Sequence, residues 1–182
     1  SVTSINEYAF NKCASLTEVT FMSPTSLKLI GDYAFSGCTS LKKIIIPNTV
    51  TSIGENAFYG CTSISKITID LYKAKIKKNT FENCESLTHL ILDTSAKEIK
   101  EFKENASKLI KVFKKITIQA AVSSIDKNSF SGCTLLKEIS IPSSVTVIND
   151  NAFKECSSLT EISLPSCLQS IGKNAFNGCS SI

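Results

Sequence analysis

The chain has 182 residues, 42% of them hydrophobic and 20% charged, with a formal net charge of +4. All twenty basic residues are Lys and Trp is absent, so the chain has neither the bidentate fork that reads guanine and phosphate nor an obvious stacking platform, and nucleic acid is a poor partner. No window approaches the roughly 18 unbroken apolar residues of a membrane span, so membrane insertion is not expected in this segment.

Along the chain one spacing returns. An Ile falls five residues before a Phe, and a Cys three residues after it, at Ile5/Phe10/Cys13, Ile30/Phe35/Cys38, Ile53/Phe58/Cys61, Ile76/Phe81/Cys84, Ile125/Phe130/Cys133, Ile148/Phe153/Cys156 and Ile171/Phe176/Cys179. With Ile99 as the fifth Ile, the repeat lengths are 25, 23, 23, 23, 26, 23 and 23 residues. Such a period is the mark of a solenoid, in which each rung buries its apolar face against the next. The sequence opens in mid-repeat at Ser1-Val2 and stops at Ile182 in a strand-opening slot, which reads as a piece of a longer chain.

The first half of each repeat alternates, as in Leu41-Lys42-Lys43-Ile44-Ile45-Ile46-Pro47. Apolar β-branched residues two apart predict a short strand with one face buried. Seven strands are placed at 16–21, 41–46, 64–69, 87–92, 113–118, 136–141 and 159–164, with Pro47, Pro142 and Pro165 as stops. In the second half Val50, Ile53, Ala57, Phe58 and Cys61 step by three, four, one and three, which predicts a short helix or helical turns. Strand and helical return together predict an α/β repeat solenoid, right-handed and curved, with a parallel sheet on the concave face and short helices or helical turns on the convex one.

The fifth repeat, over residues 99–124, lacks the Phe and Cys of the motif. Phe102, Ala106, Leu109, Ile110 and Phe113 recur at helical spacing among Lys100, Lys103, Lys108 and Lys111, which predicts a longer amphipathic helix. Either Phe102 with Leu109 or Ile110 fills the empty slots, or the helix stands out from the convex side as a partner site. Asn105-Ala106-Ser107 in this segment is a glycosylation sequon.

Seven of the eight cysteines sit in one slot, between Phe and the next strand; Cys167 is the exception. A Cys in that place reads as a small apolar plug with a buried free thiol, although neighbouring rungs within about 7 Å would also admit disulfides. No catalytic constellation appears. His89 has no carboxylate partner suggested by spacing, the cysteines come one per turn without a Cys-x-x-Cys, and no Gly-rich phosphate loop is present. The chain is therefore expected to be no enzyme and to need no metal or cofactor.

The pattern Leu-x-x-Ile-x-Ile-Pro-x-x-Val-x-x-Ile-Gly-x-x-Ala-Phe-x-x-Cys, nearly complete from Leu41 to Cys61 and from Leu136 to Cys156, resembles the BspA-type, or treponemal-type, leucine-rich repeat. The resemblance covers essentially the whole chain and implies one leucine-rich repeat solenoid over 1–182, of about 7–8 repeats. It further implies a non-enzymatic protein-binding segment, adhesin-like and located on the cell surface or secreted, with host matrix or other cells as targets. An intracellular, cytoplasmic scaffold is the alternative. The family has no fixed set of binding residues to carry over.

Recognition is expected on the concave strand face, whose side chains are free of packing duty. One column there reads Glu18, Lys43, Lys66, His89, Lys115, Glu138 and Glu161; the next contains Thr20, Ile45, Thr68, Ile91 and Thr117. Lys43, Ile45, Lys66, Thr68, His89, Ile91 and Lys115 are the candidate contact surface for an acidic protein partner, set against a lysine face that merely keeps a sheet soluble. Open strand edges at both ends also allow end-to-end contact between copies.

Overall fold

The computed structural model describes residues 2–100, 104–119 and 121–182, without the side chains of residues 104 and 105. The chain divides into two compact units, Ser1–Thr88 and His89–Ile182.

The first unit contains β1 (Ser4–Ile5), β2 (Leu29–Ile30), β3 (Lys43–Ile45), β4 (Ser52–Ile53), β5 (Lys66–Ile69) and β6 (Lys75–Ile76). The second contains β7 (His89–Leu92), β8 (Glu98–Ile99), α1 (Glu104–Ile110), β9 (Lys115–Ile118), β10 (Ser124–Ile125), β11 (Glu138–Ser140), β12 (Val147–Ile148), β13 (Glu161–Ser163) and β14 (Ser170–Ile171). All of the described pairings are parallel and advance one repeat at a time: Ile44 lies beside Ile67, Ile116 beside Ile139, and Ile30 beside Ile53. The architecture is a parallel-strand β-solenoid in which each turn after the first contributes one strand of three or four residues and one of two.

Six of the seven expected strands form, each within its expected span. Residues 16–21 form none, although Lys42 N–H of the next turn donates to the Thr17 carbonyl, at 3.3 Å. The stretch nevertheless keeps its slot, since Ser65 N–H on the Lys42 carbonyl and Thr88 N–H on that of Ser65 repeat the same link; the two extra residues of this 25-residue repeat fall after it, before Leu27.

The expected helical return is corrected. In place of helices the structure has turns, and the Ile slot forms a second parallel ladder: β1, β2, β4 and β6 in the first unit, β8, β10, β12 and β14 in the second. The physical reason lies in two residues per rung. Those two before and two after the Phe slot take positive φ, as at Asn56 (53°) and Gly60 (67°), Asn128 (61°) and Gly132 (73°), and Asn151 (55°) and Glu155 (62°). A left-handed residue every fourth position cannot propagate a right-handed helix. It turns alternate amides along the stack instead: Asn56, Phe58 and Gly60 donate to the carbonyls of Lys78, Thr80 and Glu82 in the next rung.

The fifth repeat does hold a helix, but α1 has only seven residues. Phe102 and Lys103, parts of the expected longer helix, lie outside the described residues, as does the side chain of Asn105. Ala106, Ile110 and Phe113 are buried, and Leu109 is half-buried. The helix thus packs inward through Ala106 and Ile110.

Two columns carry the core. In the first unit the rings of Phe10, Phe35, Phe58 and Phe81 stack at 5.0, 5.2 and 5.1 Å between centroids; in the second, Phe130, Phe153 and Phe176 stack at 5.2 Å each. Phe35, Phe58, Phe130 and Phe153 are wholly buried, each contributing on the order of 1.5–3 kcal/mol. Beside them run the cysteines, all of them free. They do more than fill space. The thiols of Cys38, Cys61, Cys84, Cys156 and Cys179 donate to the carbonyls of Phe10, Phe35, Phe58, Phe130 and Phe153, at 3.1–3.2 Å. Cys13 and Cys167 are exposed.

Candidate functional site

A strand in a parallel ladder repeats its side-chain direction from rung to rung, so columns of like slots face solvent together. In the first unit β3 and β5 set Lys43 beside Lys66 and Ile45 beside Thr68. Lys43 and Ile45 are exposed, Ile45 at 58%, and Lys66 is half-buried. Thr68, expected on this face, is instead buried at 9% exposure. Its short side chain is overtopped by larger neighbours, Ile45 lying next to it, so it packs rather than presents itself.

In the second unit β7 and β9 set His89 beside Lys115 and Ile91 beside Thr117. His89, Ile91 and Lys115 are all half-buried. His89 Nε2 and Thr117 Oγ1 share a hydrogen bond of 2.9 Å that crosses diagonally between the strands. Thr117 was not among the residues expected to contact a partner, although it stands one repeat from Ile91 in the same slot.

The lysines are not bare charges. Lys43 Nζ lies 3.0 Å from Glu18 Oε1, and Lys115 Nζ donates to Glu138 Oε1 at 2.6 Å. Both pairs are about half exposed, where an ion pair contributes roughly 0.2–1 kcal/mol. Opposite charges in one slot on consecutive rungs were legible in the sequence as the acidic ends of the basic column; that they close onto its lysines was not. Among the described residues Lys66 makes no ion pair, so it is the lysine of this set whose charge is uncompensated.

Most of the buried thiol column is held protonated. Burial pushes the thiols of Cys38 and Cys84 up to about 11, helped at Cys38 by its neighbour Cys13, and pushes Cys61 up as well. Cys156 is raised first by its hydrogen bond with Cys133 and then by burial. Thiolates are the reactive form, so these four cysteines act in packing; Cys133 differs, its thiol being lowered by the hydrogen bond with Cys156 and, against its burial, by Lys111. Among the described residues no group of three or more His, Cys, Asp or Glu is placed to hold a metal ion, and no helix is long and apolar enough to cross a membrane.

The comparisons agree with this architecture. The chain is similar to a leucine-rich repeat protein from Bacteroides ovatus, with 34% identity, a TM-score of 0.55, and coverage of 100% of this chain and 45% of that one. It is similar also to a leucine-rich repeat protein from Eubacterium ventriosum, at 26% identity and a TM-score of 0.55, over 100% of this chain and 44% of that one. The Leucine Rich Repeat protein of T. pallidum shares the fold, at 24% identity, a TM-score of 0.54, and 98% and 82% coverage. The chain therefore spans less than half the length of the first two. No curated protein matches it. The BspA type leucine-rich repeat region matches in 6 copies, over residues 3–113 and 101–182, and the chain belongs to that family.

Proposed function

We propose that the chain is a non-enzymatic protein-binding module that meets its partner through the longer strands. The observation that carries this reading is Ile45, an isoleucine 58% exposed on the same strand as Lys43 and in register with the buried Thr68 of β5. An apolar side chain amid charge on an ordered ladder is the composition of an interface rather than of a purely solvated face.

The partner is an acidic protein, a host or matrix component among them, met by Lys43, Ile45 and Lys66 on the first unit and by His89, Ile91 and Lys115 on the second. Thr68 supports the wall. Because Glu18 and Glu138 already hold two of the lysines, Lys66 and Ile45 carry the greater weight. A location on the cell surface or in the secreted fraction follows the family's habit. Free cysteines fit a reducing compartment and so an intracellular scaffold as the second reading.

Charge reversal at Lys43, Lys66 and Lys115, together with Ile45→Asp, tests the proposal against cells and candidate matrix proteins. Binding that survives all four changes, or that ignores ionic strength, overturns it.

A further inference from the structure

Every described turn of the Phe motif puts the residue two before its Phe slot in the left-handed region. Five rungs use asparagine there, Asn56, Asn79, Asn128, Asn151 and Asn174, with φ of 53°, 56°, 61°, 55° and 54°. The first two use Tyr8 (59°) and Tyr33 (54°) instead. Asparagine tolerates this conformation well, whereas a bulky ring is strained in it. Five rungs of the same chain build the same turn without an aromatic, so the turn itself supplies no reason for the tyrosines.

Nor does the core. Tyr8 is 51% exposed and Tyr33 half-buried. The two rings stack on each other, 5.1 Å apart and 14° from parallel, and present an ordered aromatic surface on the turn side, apart from the longer strands.

Its surroundings are acidic. Tyr8 N–H donates to the Asp32 carbonyl at 3.1 Å and Tyr33 N–H to that of Glu55 at 3.0 Å. With Ile5, Ile30 and Ile53 in register, Glu7, Asp32 and Glu55 form one column, the first two directly preceding the tyrosines and the third preceding Asn56. Asp32 is occupied: its Oδ1 accepts the Glu55 amide at 2.8 Å and Lys77 Nζ at 3.1 Å, which hold its carboxyl below the usual range. Among the described residues Glu7 and Glu55 form no ion pair. The Tyr8 phenol is pushed up by desolvation and then by Glu7, Tyr33 and Asp32, as expected in a negative field. Lys78 follows Glu55 in this column, through the register of Ile53 with Ile76, and closes the acidic stretch after three rungs.

We propose that the Tyr8–Tyr33 pair with Glu7 and Glu55 is a second binding surface, which takes a lysine- or arginine-bearing segment of another protein. The carboxylates stand two rungs apart, one on either side of Asp32, so each meets a separate cationic head of the segment, and a stem lies along the rings. Tyrosine supplies rigid amphipathic area at low entropic cost, and aromatic rings attract cations beyond their apolar contact. The charge preference is the opposite of that proposed for the longer strands, so the two surfaces do not compete for one class of partner.

The turn supplies its own test. In Tyr8→Asn/Tyr33→Asn each tyrosine becomes the residue used by five other rungs, and every carboxylate stays. Labelled oligoarginine is titrated into the whole chain and followed by fluorescence anisotropy, with oligoglutamate as control. Oligoarginine is expected to bind the wild type and to lose roughly tenfold or more in affinity to the double variant, as truncation of a contact aromatic does. Glu7→Gln/Glu55→Gln, which alters no turn conformation, is expected to lose a similar factor and serves if the tyrosine variant unfolds. Equal binding by wild type and variants, equal binding of oligoglutamate, or no binding of oligoarginine overturns the proposal. So does a wild type that ignores oligoarginine but sediments as a dimer that the tyrosine variant abolishes, since the occupant is then a second copy.

Discussion

The thiol of Cys61 donates to the carbonyl oxygen of Phe35, 3.1 Å away and one rung behind. The same oxygen already accepts the backbone N–H of Cys38 at 3.2 Å, so the Phe carbonyl is satisfied within its own turn and again from the next. A thiol is small enough for the core and still able to donate. This link between rungs predicts how the cysteines behave.

Buried, hydrogen-bonded and raised in pKa, Cys38, Cys61, Cys84 and Cys156 should resist alkylation in the folded chain. Cys13 and Cys167 are exposed and should react first. Mass spectrometry after a timed iodoacetamide pulse near neutral pH reads the order; early labelling of Cys61 contradicts the structure.

The same thiols make stability fall at alkaline pH. Their folded pKa lies above the ordinary value of 9.0, reaching about 11 at Cys38 and Cys84, so the unfolded chain ionises first. The stabilisation is complete below about 9 and is lost as pH rises towards about 11. Thermal unfolding followed across this window should show the midpoint dropping, and the drop should shrink in Cys38→Ala/Cys84→Ala.

Phe58 is wholly buried and stacked on both sides, by Phe35 and Phe81. Phe58→Ala should cost about 3–5 kcal/mol. Phe10, 40% exposed, should cost clearly less. Denaturant titration of both variants gives the comparison, and equal losses would contradict the stacked core.

Two glycines of one rung should fail for different reasons. Gly60 has φ of 67° and open space where a Cβ would stand, so Gly60→Ala should cost only the left-handed penalty, about 1–2 kcal/mol. A Cβ at Gly54 would run into the Asp32 amide nitrogen and the Gly31 carbonyl carbon of the preceding rung. Gly54→Ala should therefore cost more. Its slot holds Lys77, Asp126 and Asn149 in other rungs, so the obstacle is the local approach of two backbones and not the slot itself.

The ion pair of Lys115 with Glu138 should couple weakly. Half exposed on both sides, it should give a double-mutant-cycle energy of about 1 kcal/mol or less. A loss of partner binding in Lys115→Glu then reports on the surface rather than on unfolding.

The sequence alone determined the rung. The Ile–Phe–Cys spacing and the alternation of strands such as Lys43–Ile45 report which side chains are withdrawn from water, and that identified the solenoid, its buried Phe and Cys columns and the outward Ile45. It did not determine the path of the backbone between them. Val50, Ile53, Phe58 and Cys61 satisfy a helical period and a pair of left-handed turns equally well as burial patterns, and the residues that decide between the two are the polar and glycine positions, Asn56 and Gly60. Tertiary structure decided the rest because its contacts join residues one repeat apart: the thiol of Cys61 on Phe35, Lys115 on Glu138, His89 on Thr117, and the burial of Thr68. Hydrophobic periodicity is a property of one rung; hydrogen bonds, ion pairs and the strain at Tyr8 and Tyr33 exist only once neighbouring rungs are stacked.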